Sequence, residues 1–237
     1  MSRVFVYIDG FNLYHAIKEL ENPCYKWLDL KSLSQKFINS SSETIDKIYY
    51  FSALATHLKN AETVTRHKAY AHALETQKVI FVQGNFKRKH HRLNSWIRRK
   101  YKIKEDIKNI NYEEKETDVS LAIHLVRDAI KHSYDKAIVI TNDTDIAPAI
   151  RMAKKEHPSA RITVLTPPIK EEIHDDLRNA TGQPYTIRIT KAKIEQSLFP
   201  FKIVKSNGKT IHIPEKWLCA SSRKEDFCKS INCPLPL

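Results

Sequence analysis

Glycine is scarce in this sequence, which contains four glycines among 237 residues. Neither the Rossmann nor the P-loop motif is present, so the low glycine content argues against a Gly-rich phosphate-binding loop of either type. Long apolar runs are also missing, since none approaches the roughly 18 residues of a membrane-spanning helix. The N-terminus opens on a strand pattern rather than on the regions of a signal peptide. These absences predict a soluble, cytoplasmic protein with no membrane partner.

The four cysteines follow no spacing that points to a particular kind of site. Cys24 stands alone near the N-terminus, whereas Cys219, Cys228 and Cys233 lie near the C-terminus. They show neither the paired spacing of a zinc site nor a disulfide framework, which fits a reducing compartment. A weak metal site formed by the three C-terminal cysteines is a minor alternative.

Positive charge is abundant and unevenly distributed, with a net charge of +13 at pH 7. The segment from Lys87 to Lys104 has nine Lys or Arg residues among eighteen and no acid, which favours a polyanionic partner. Trp96 and Tyr101 suit either base stacking or anchoring to the core, and a merely solvated surface is the alternative for the whole segment. The side chains predicted to contact nucleic acid are Lys87, Arg88, Lys89, Arg92, Arg98, Arg99 and Lys100.

Strand and helix patterns alternate along most of the chain, which predicts right-handed crossovers between parallel strands. We therefore expect an α/β fold, a three-layer sandwich with a mainly parallel central sheet of five or six strands. The basic segment is predicted to be partly helical around Leu93–Ile97. The predicted strands are Val4–Ile8, Ile48–Phe51, Val79–Val82, Ala137–Thr141, Arg161–Leu165 and Tyr185–Ile189.

A change in sequence character from Leu198 onward suggests a second, smaller unit. Pro200 and the hairpin signal Asn207-Gly208 follow this point. We predict a main domain at residues 1–197 and a small extension with a tail at residues 198–237.

The helix pattern that opens at Asp118 carries apolar residues on more than one side, which predicts that the helix packs on more than one side. Its predicted main apolar face comprises Val119, Ala122, Ile123, Val126 and Ile130.

Four aspartates lie where predicted elements begin or end. Asp9 closes the first strand, Asp143 and Asp145 follow the apolar run Ile138–Ile140, and Asp118 begins the helix that leads into that run. If these two strands are neighbours, the acids share the carboxyl edge of the sheet, where open α/β sheets bind ligands. Two carboxylates about 4 Å apart repel by about 4 kcal/mol at an effective dielectric near 20, so such a cluster takes up protons or binds a cation.

Hard oxygen ligands favour Mg²⁺ or Mn²⁺ over zinc. Together with the basic segment, they predict metal-assisted cleavage of a phosphodiester, in which one or two ions polarise the phosphoryl oxygen and activate a water.

Each acid also has a purely structural interpretation. Asp118 and Asp145 stand where a helix N-cap belongs, and Asp143 suits an Asx-turn. Glu113, Glu114 and Glu116 suit a solvated charge run, with Glu114 or Glu116 reaching the metal as the alternative. A phosphatase of the haloacid-dehalogenase type is disfavoured, because Phe11 stands where that chemistry needs a second Asp.

Three segments together resemble a known family: IDGFNLY from Ile8, EKETDV from Glu114, and TNDTDIAPAI from Thr141. They are similar to the NYN domain, a branch of the PIN-like metal-dependent ribonucleases, and to its bacterial LabA-like group. The resemblance implies a PIN-like sheet and an acidic pocket that holds Mg²⁺ or Mn²⁺. Its implied metal ligands are Asp9, Asp118 and Asp143, with Asp145 as a further ligand or an orienter of the water.

The resemblance also assigns supporting roles. Asn12 and Thr141 would hold the first ligand and the pocket in shape, and Lys115 would sit at the rim near the scissile phosphate. Two positions depart from the family pattern: Glu116 stands where many relatives have a small residue, often Gly, and Asn142 replaces a Gly. Asn tolerates the left-handed backbone that a Gly can adopt.

The leading hypothesis is a metal-dependent ribonuclease that cleaves single-stranded or structured RNA. The residues predicted to take part in catalysis are Asp9, Asn12, Lys115, Asp118, Thr141, Asp143 and Asp145. The alternative is a non-catalytic RNA-binding regulatory protein that retains the fold. A homodimer is an open alternative to a monomer.

Overall fold

The computed structural model describes residues 1–54, 61–92, 99–101, 108–168, 173–182, 184–205 and 207–218. The helices are α1 (Gly10–Glu19), α2 (Leu30–Gln35), α3 (Ala61–Thr76), α4 (Thr117–Ile130), α5 (Ala147–Glu156), α6 (Asp175–Thr181) and α7 (Lys191–Glu195), with 3₁₀ turns at Pro23–Trp27, Thr144–Ile146 and Glu215–Trp217. The strands are β1 (Ser2–Asp9), β2 (Glu43–Ala53), β3 (Ile80–Arg92), β4 (Lys108–Lys115), β5 (Lys136–Ile140), β6 (Arg161–Thr166), β7 (Thr186–Arg188), β8 (Lys202–Val204) and β9 (Thr210–His212).

A seven-stranded sheet forms the centre of the protein, in the order β4-β3-β2-β1-β5-β6-β7. Its strands pair in parallel except for β3 and β4, which are antiparallel. The predicted α/β class with a mainly parallel sheet is confirmed, with one strand more than expected. Strands β1 and β5 are neighbours, as the sequence argument on the aspartates required.

Strand β1 is buried on both faces, and its side chains alternate between two hydrophobic clusters. Val4, Val6 and Ile8 pack into one cluster with residues of α1, α2 and α3. Phe5 and Tyr7 pack into the other with residues of α4, α5 and α6. This two-residue alternation places helices on both faces of the sheet, which gives the three layers.

The extra strand comes from a long antiparallel hairpin. Strand β3 extends well beyond the predicted Val79–Val82 and carries Lys87–Arg92 with it, opposite β4. Cross-strand pairing fixes these residues as strand, which local charge pattern could not show. The predicted helical turn at Leu93–Ile97 lies outside the described residues.

Helix α4 packs on one side, not on several. Leu121, Leu125 and Ala129 are fully buried, whereas Val119, Ile123 and Ile130 are 61%, 58% and 56% exposed. Three of the five residues of the predicted face are therefore surface residues, whereas Ala122 and Val126 pack against the buried cluster. Helical periodicity alone does not show which of two apolar stripes meets the sheet.

The C-terminal extension folds back on the main domain. Strands β8 and β9 form a separate hairpin across the predicted Asn207-Gly208 turn, and Gly208 has a φ of 77° that favours glycine. Ile213 and Ile203 join the cluster beneath α1 to α3. The boundary between residues 197 and 198 stays a prediction.

Cys24 corrects the expectation of four unpaired cysteines. It is buried and disulfide-bonded, and its partner lies outside the described residues. Pairing between cysteines far apart in the chain leaves no spacing pattern, so sequence reasoning missed it. The cysteine argument for a reducing compartment therefore no longer holds. In the described part of the chain, no helix combines the length and apolar character needed to cross a bilayer.

One buried carboxylate joins three strands at the edge of the sheet where they begin. Glu43 starts β2 and is 6% exposed. It accepts a hydrogen bond from Lys136 Nζ at 2.9 Å, another from Asn39 N–H at 2.9 Å, and a third from Arg161. Because Lys136 begins β5 and Arg161 begins β6, this group holds the starts of β2, β5 and β6 together.

We predict that Glu43→Gln lowers the free energy of unfolding by about 3 kcal/mol at neutral pH, because it leaves the buried Lys136 ammonium without its counter-charge. Burial raises the pKa of Glu43, but Asn39 N–H, Lys136 and Arg161 outweigh it and hold the pKa below its usual value. Stabilisation from a depressed carboxyl pKa is present above the unfolded-state pKa and is lost as the pH falls through the folded-state value. The loss in Glu43→Gln should therefore shrink in acid.

Urea unfolding of the wild type and of Glu43→Gln at pH 7 and near pH 3 measures this difference. Glu62→Gln, at an exposed position of α3, is the matched control. An equal loss of unfolding free energy at both pH values would contradict the lowered pKa of Glu43.

Candidate metal centre

Three aspartates converge where β1 and β5 end. Asp9 ends β1, Asp143 follows β5, and Asp118 lies in the first turn of α4. Each offers a carboxylate oxygen, and these oxygens lie within 4.8 Å of one another. Asp9 is buried, Asp143 is half-buried and Asp118 is exposed. The three carboxylates therefore form a group that is buried on one side and open to solvent on the other.

Asn12 and Thr141 hold this arrangement together. Asn12 N–H donates to Asp9 Oδ1 at 2.9 Å, and the Thr141 hydroxyl donates to Asp9 Oδ2 at 2.9 Å. Thr141 Oγ1 also accepts from Asp143 N–H at 3.0 Å, and Asn12 Oδ1 accepts from Asn142 N–H at 2.9 Å. These four bonds tie the start of α1 to the end of β5. The Thr141 side chain contacts Asp9 directly, whereas Asn12 contacts Asp9 through its backbone N–H and uses its side chain to bind Asn142 N–H.

The local electrostatics favour a positive ligand. Burial raises the pKa of Asp9 to about 6, against the lowering effect of its two hydrogen-bond donors, and the charges of Asp118 and Asp143 add to the rise. The pKa of Asp118 is also raised: although the residue is exposed as a whole, its carboxylate is partly desolvated, and the charges of Asp143 and Asp145 add to the rise. A cation would relieve both the repulsion and the desolvation.

Glu114 is a fourth acid at this site. It was predicted to belong to a solvated charge run, with contact to the metal as the alternative. It lines the same cavity of about 420 Å³ as Asp9, Asp118 and Asp143. Burial raises its pKa to about 7, and the charges of Asp9 and Asp118 contribute. Its Oε1 atom is buried without a hydrogen-bond partner. An orphaned carboxylate oxygen beside three acids fits a cation that these oxygen donors would hold.

The signal that could have found Glu114 is the alternation of a strand. Tyr112 and Glu114 are two residues apart on β4, and both line the cavity. Recognising that alternation required knowing that the segment is a strand.

Asp145 lies at the margin of the cluster. It is exposed and outside the group of three converging carboxylates, although its charge reaches Asp118. Its N–H donates to Asp143 Oδ1 at 2.9 Å, so the 3₁₀ turn Thr144–Ile146 is capped by Asp143. The capping roles proposed for Asp145 and Asp118 are wrong, because Ile146 occupies the N-cap position of α5 and Glu116 that of α4.

Glu116 and Asn142, the two residues that depart from the family pattern, differ in backbone conformation. Glu116 has a φ of 81°, the left-handed region that glycine adopts without strain, and Asn85 Nδ2 donates to its Oε2 at 2.8 Å. The backbone thus explains why a glycine suits this position. Asn142 has no positive φ, so this position does not need the left-handed backbone that a Gly can adopt.

Close backbone approach at the site depends on Gly10. A Cβ atom there would lie 2.6 Å from Tyr50 Cε2 and 2.7 Å from the Phe51 carbonyl oxygen. Glycine therefore allows α1 to begin directly against β2, which sets the position of Asp9.

The predicted nucleic-acid contacts are only partly described. Lys115 is exposed and lines the acidic cavity. Lys87, Arg88, Arg99 and Lys100 are exposed. Lys89 and Arg92 belong to β3, but their side chains and the whole of Arg98 lie outside the described residues.

Three comparisons place the chain among known proteins. A model of the NYN domain matches residues 3–188. The chain is 30% identical over 196 residues to 6-hydroxy-3-succinoylpyridine 3-monooxygenase HspA of Pseudomonas putida, a match that covers 70% of this chain and 59% of that protein. It resembles in fold a solved Vibrio parahaemolyticus protein of unknown function, with a TM-score of 0.55 and 12% identity, over 84% of this chain and 96% of that one.

We predict that Mn²⁺ or Mg²⁺ raises the melting temperature of the protein, because a cation that binds only the folded state stabilises it by an amount that grows with the logarithm of the metal concentration above Kd. Asp143→Asn should remove most of this rise, since it deletes one of the three converging carboxylates. Asp46→Asn, at an exposed position of β2, is the matched control and should keep the rise. Thermal unfolding with increasing metal measures the effect, and an equal rise in both variants would count against this centre.

Proposed function

Because the chain belongs to the NYN domain family, we propose that it is a metal-dependent ribonuclease that cleaves RNA phosphodiester bonds at the carboxyl edge of its sheet. The observation that carries this proposal is the convergence of Asp9, Asp118 and Asp143 within 4.8 Å, beside the orphaned oxygen of Glu114. An acid set of this kind, with no nitrogen or sulfur donor among its members, suits Mg²⁺ or Mn²⁺.

Asp9, Asp118 and Asp143 would hold the ion, and Glu114 or Asp145 would complete the oxygen set. When bound, a divalent cation lowers the pKa of water and offsets the charge that develops on the phosphoryl oxygens. Asn12 and Thr141 keep Asp9 fixed, so the site needs little rearrangement at the moment of reaction.

The remaining residues act on the substrate. In the hydrolysis, a water oxygen forms a bond to phosphorus, the phosphodiester P–O bond breaks, and the departing oxygen takes up a proton. The Lys115 ammonium, at the rim, would bind a phosphate oxygen of the strand. Asp145, exposed beside Asp118, would accept a hydrogen bond from the attacking water and orient it.

The basic segment would bind the RNA backbone away from the cleaved bond. Lys87, Arg88, Arg99 and Lys100 are exposed cations, and Tyr101 is 64% exposed, which suits a single-stranded base stacked on its ring. Binding of this kind weakens steeply with salt, because phosphate neutralisation releases counterions.

The Pseudomonas relative supplies a second candidate function, hydroxylation of a heteroaromatic ring. The chain spans 59% of that protein's length. The observation that favours this candidate is an aromatic cavity of about 520 Å³ that shares Phe11 and Tyr112 with the acidic cavity. A monooxygenase transfers one oxygen atom of dioxygen to its substrate and reduces the other to water, so this reaction needs an added reductant.

We predict that the pure protein cleaves single-stranded RNA in the presence of Mn²⁺ or Mg²⁺, and that Asp143→Asn slows cleavage by about 100-fold or more, a loss typical of removing a group that stabilises transition-state charge. The measurement is the rate of cleavage of an end-labelled oligonucleotide. Asp46→Asn again serves as the control and should cleave at the wild-type rate.

Two results would contradict the nuclease. Salt-dependent RNA binding with no metal-dependent cleavage would support a non-catalytic RNA-binding regulator instead. Oxygen consumption on a pyridine substrate with an added reductant, in the absence of RNA cleavage, would support the second candidate.

A homodimer and a cytoplasmic location remain proposals from the sequence. The exposed apolar side chains Val119, Ile123 and Ile130 on α4 support the dimer, because an apolar stripe of this kind is often an interface. We predict that sedimentation at micromolar concentration gives a dimer in the wild type and a monomer in Ile123→Lys. A monomer in both proteins would exclude the dimer.

A further inference from the structure

We propose that the aromatic cavity beside the acids is a binding site for a heteroaromatic ring that carries an anionic group. In the nuclease this ligand is a nucleotide unit of the RNA next to the cleaved phosphate, and that part of the inference rests on the proposed function. Binding of the ring and its anion does not require catalysis.

The cavity has the size and position of a ligand site. Its volume of about 520 Å³ falls within the roughly 300–1,000 Å³ of small-molecule pockets. It shares Phe11 and Tyr112 with the acidic cavity, so the two spaces adjoin. A ligand that extends from one into the other would place its neighbouring group at the aspartates.

Aromatic side chains form a continuous wall of this cavity. The Tyr50 and Tyr70 rings are 6.1 Å apart at 89°, and the Tyr70 and Trp217 rings are 6.1 Å apart at 77°. Phe11 and Tyr14 of α1 also line the cavity and are 42% and 43% exposed, which leaves ring surface available to a ligand. Faces and edges of this kind bind any flat heteroaromatic ring.

Cations in the same cavity select for a ring with a negative charge. Lys26, Arg66 and Lys216 come from three separate elements and line the cavity, whereas no acid is among its described lining residues. Arg66 already pairs with Glu62 at 3.4 Å, whereas among the described residues no carboxylate lies within ion-pair distance of Lys26 or Lys216. Burial and then the neighbouring charges of Lys18, Arg66 and Lys216 lower the pKa of Lys26, so an anion here would relieve a real repulsion.

Polar groups suited to a ring edge complete the site. His67 lines the cavity, and burial lowers its pKa, so at neutral pH it presents one donor and one acceptor nitrogen. Ser52 and Thr63 add hydroxyl groups to the lining. Ring nitrogens and carbonyls of a base or a pyridine would find partners in these three side chains.

Part of the wall lies outside the residues that the NYN domain model matches. Lys216 and Trp217 belong to the C-terminal extension, whereas the NYN match ends at residue 188. Trp217 reaches the cavity because it packs against Trp27 and Tyr70, with ring centroids 6.2 Å and 6.1 Å away. The extension therefore adds ligand selectivity to the shared fold.

The test is calorimetric titration in EDTA, so that metal binding and cleavage play no part. The probes are adenosine 5′-monophosphate, adenosine, inorganic phosphate and nicotinate. We expect the nucleotide to bind at least tenfold more tightly than adenosine or phosphate. Trp217→Leu should weaken it about five- to 100-fold, the range for loss of a stacked base, and Lys216→Ala about tenfold or more.

Lys209→Ala, an exposed lysine of the same extension, is the matched control and should bind like the wild type. Because the titration in EDTA measures binding without metal or cleavage, failure of this site is distinguished from failure of the nuclease. Nicotinate binding more tightly than the nucleotide would identify a free heteroaromatic acid as the ligand. The proposal would be overturned if neither the nucleotide nor nicotinate binds. It would also be overturned if Trp217→Leu and Lys216→Ala both keep the wild-type fold by circular dichroism and both bind the ligand with wild-type affinity.

Discussion

The hydrogen bond between the Thr141 hydroxyl and the Asp9 carboxylate is the contact on which the candidate site depends. It spans the ends of β1 and β5 at 2.9 Å, and the same hydroxyl oxygen accepts from Asp143 N–H. One small side chain therefore fixes a buried acid and orients the backbone of a second. Without it, Asp9 would be a buried carboxylate with a single donor, Asn12 N–H, and its charged form would be harder to keep.

The two edges of the sheet treat buried carboxylates in opposite ways. Glu43, where the strands begin, is surrounded by Lys136 and Arg161, and its pKa is lowered. Asp9, where β1 ends, has acidic neighbours, and its pKa is raised to about 6. Where the strands begin, Lys136 and Arg161 balance the negative charge of Glu43 within the protein. Where the strands end, the negative charge of the aspartates is not balanced, and a bound cation would balance it. The structural carboxylate and the candidate metal ligands thus lie at opposite ends of the strands of one sheet.

How much the sequence could predict depended on whether a feature was local. Asp9 and Asp143 each end a short apolar run, so strand pattern and position were enough to bring them together. Glu114 was not assigned to the site, because its orientation depends on the pairing of β4 with β3, in which it lies opposite Phe86. That pairing joins segments separated by a long basic stretch, and charge pattern alone resembled a solvated loop. The direction faced by Ile123 likewise depended on which stripe of α4 met the sheet.

The separation of charge between two adjoining cavities constrains how any substrate lies. Acids gather around Asp9, and cations gather around Lys26 and Lys216, with Phe11 and Tyr112 on the boundary. A free anion would avoid the acids and settle among the cations. A phosphodiester can approach the acids only with a bound cation, and its adjacent nucleotide then extends toward the aromatic wall. In the proposed site, the same separation of charge would also orient a small heteroaromatic acid, with its anion among the cations and its ring against the aromatic wall.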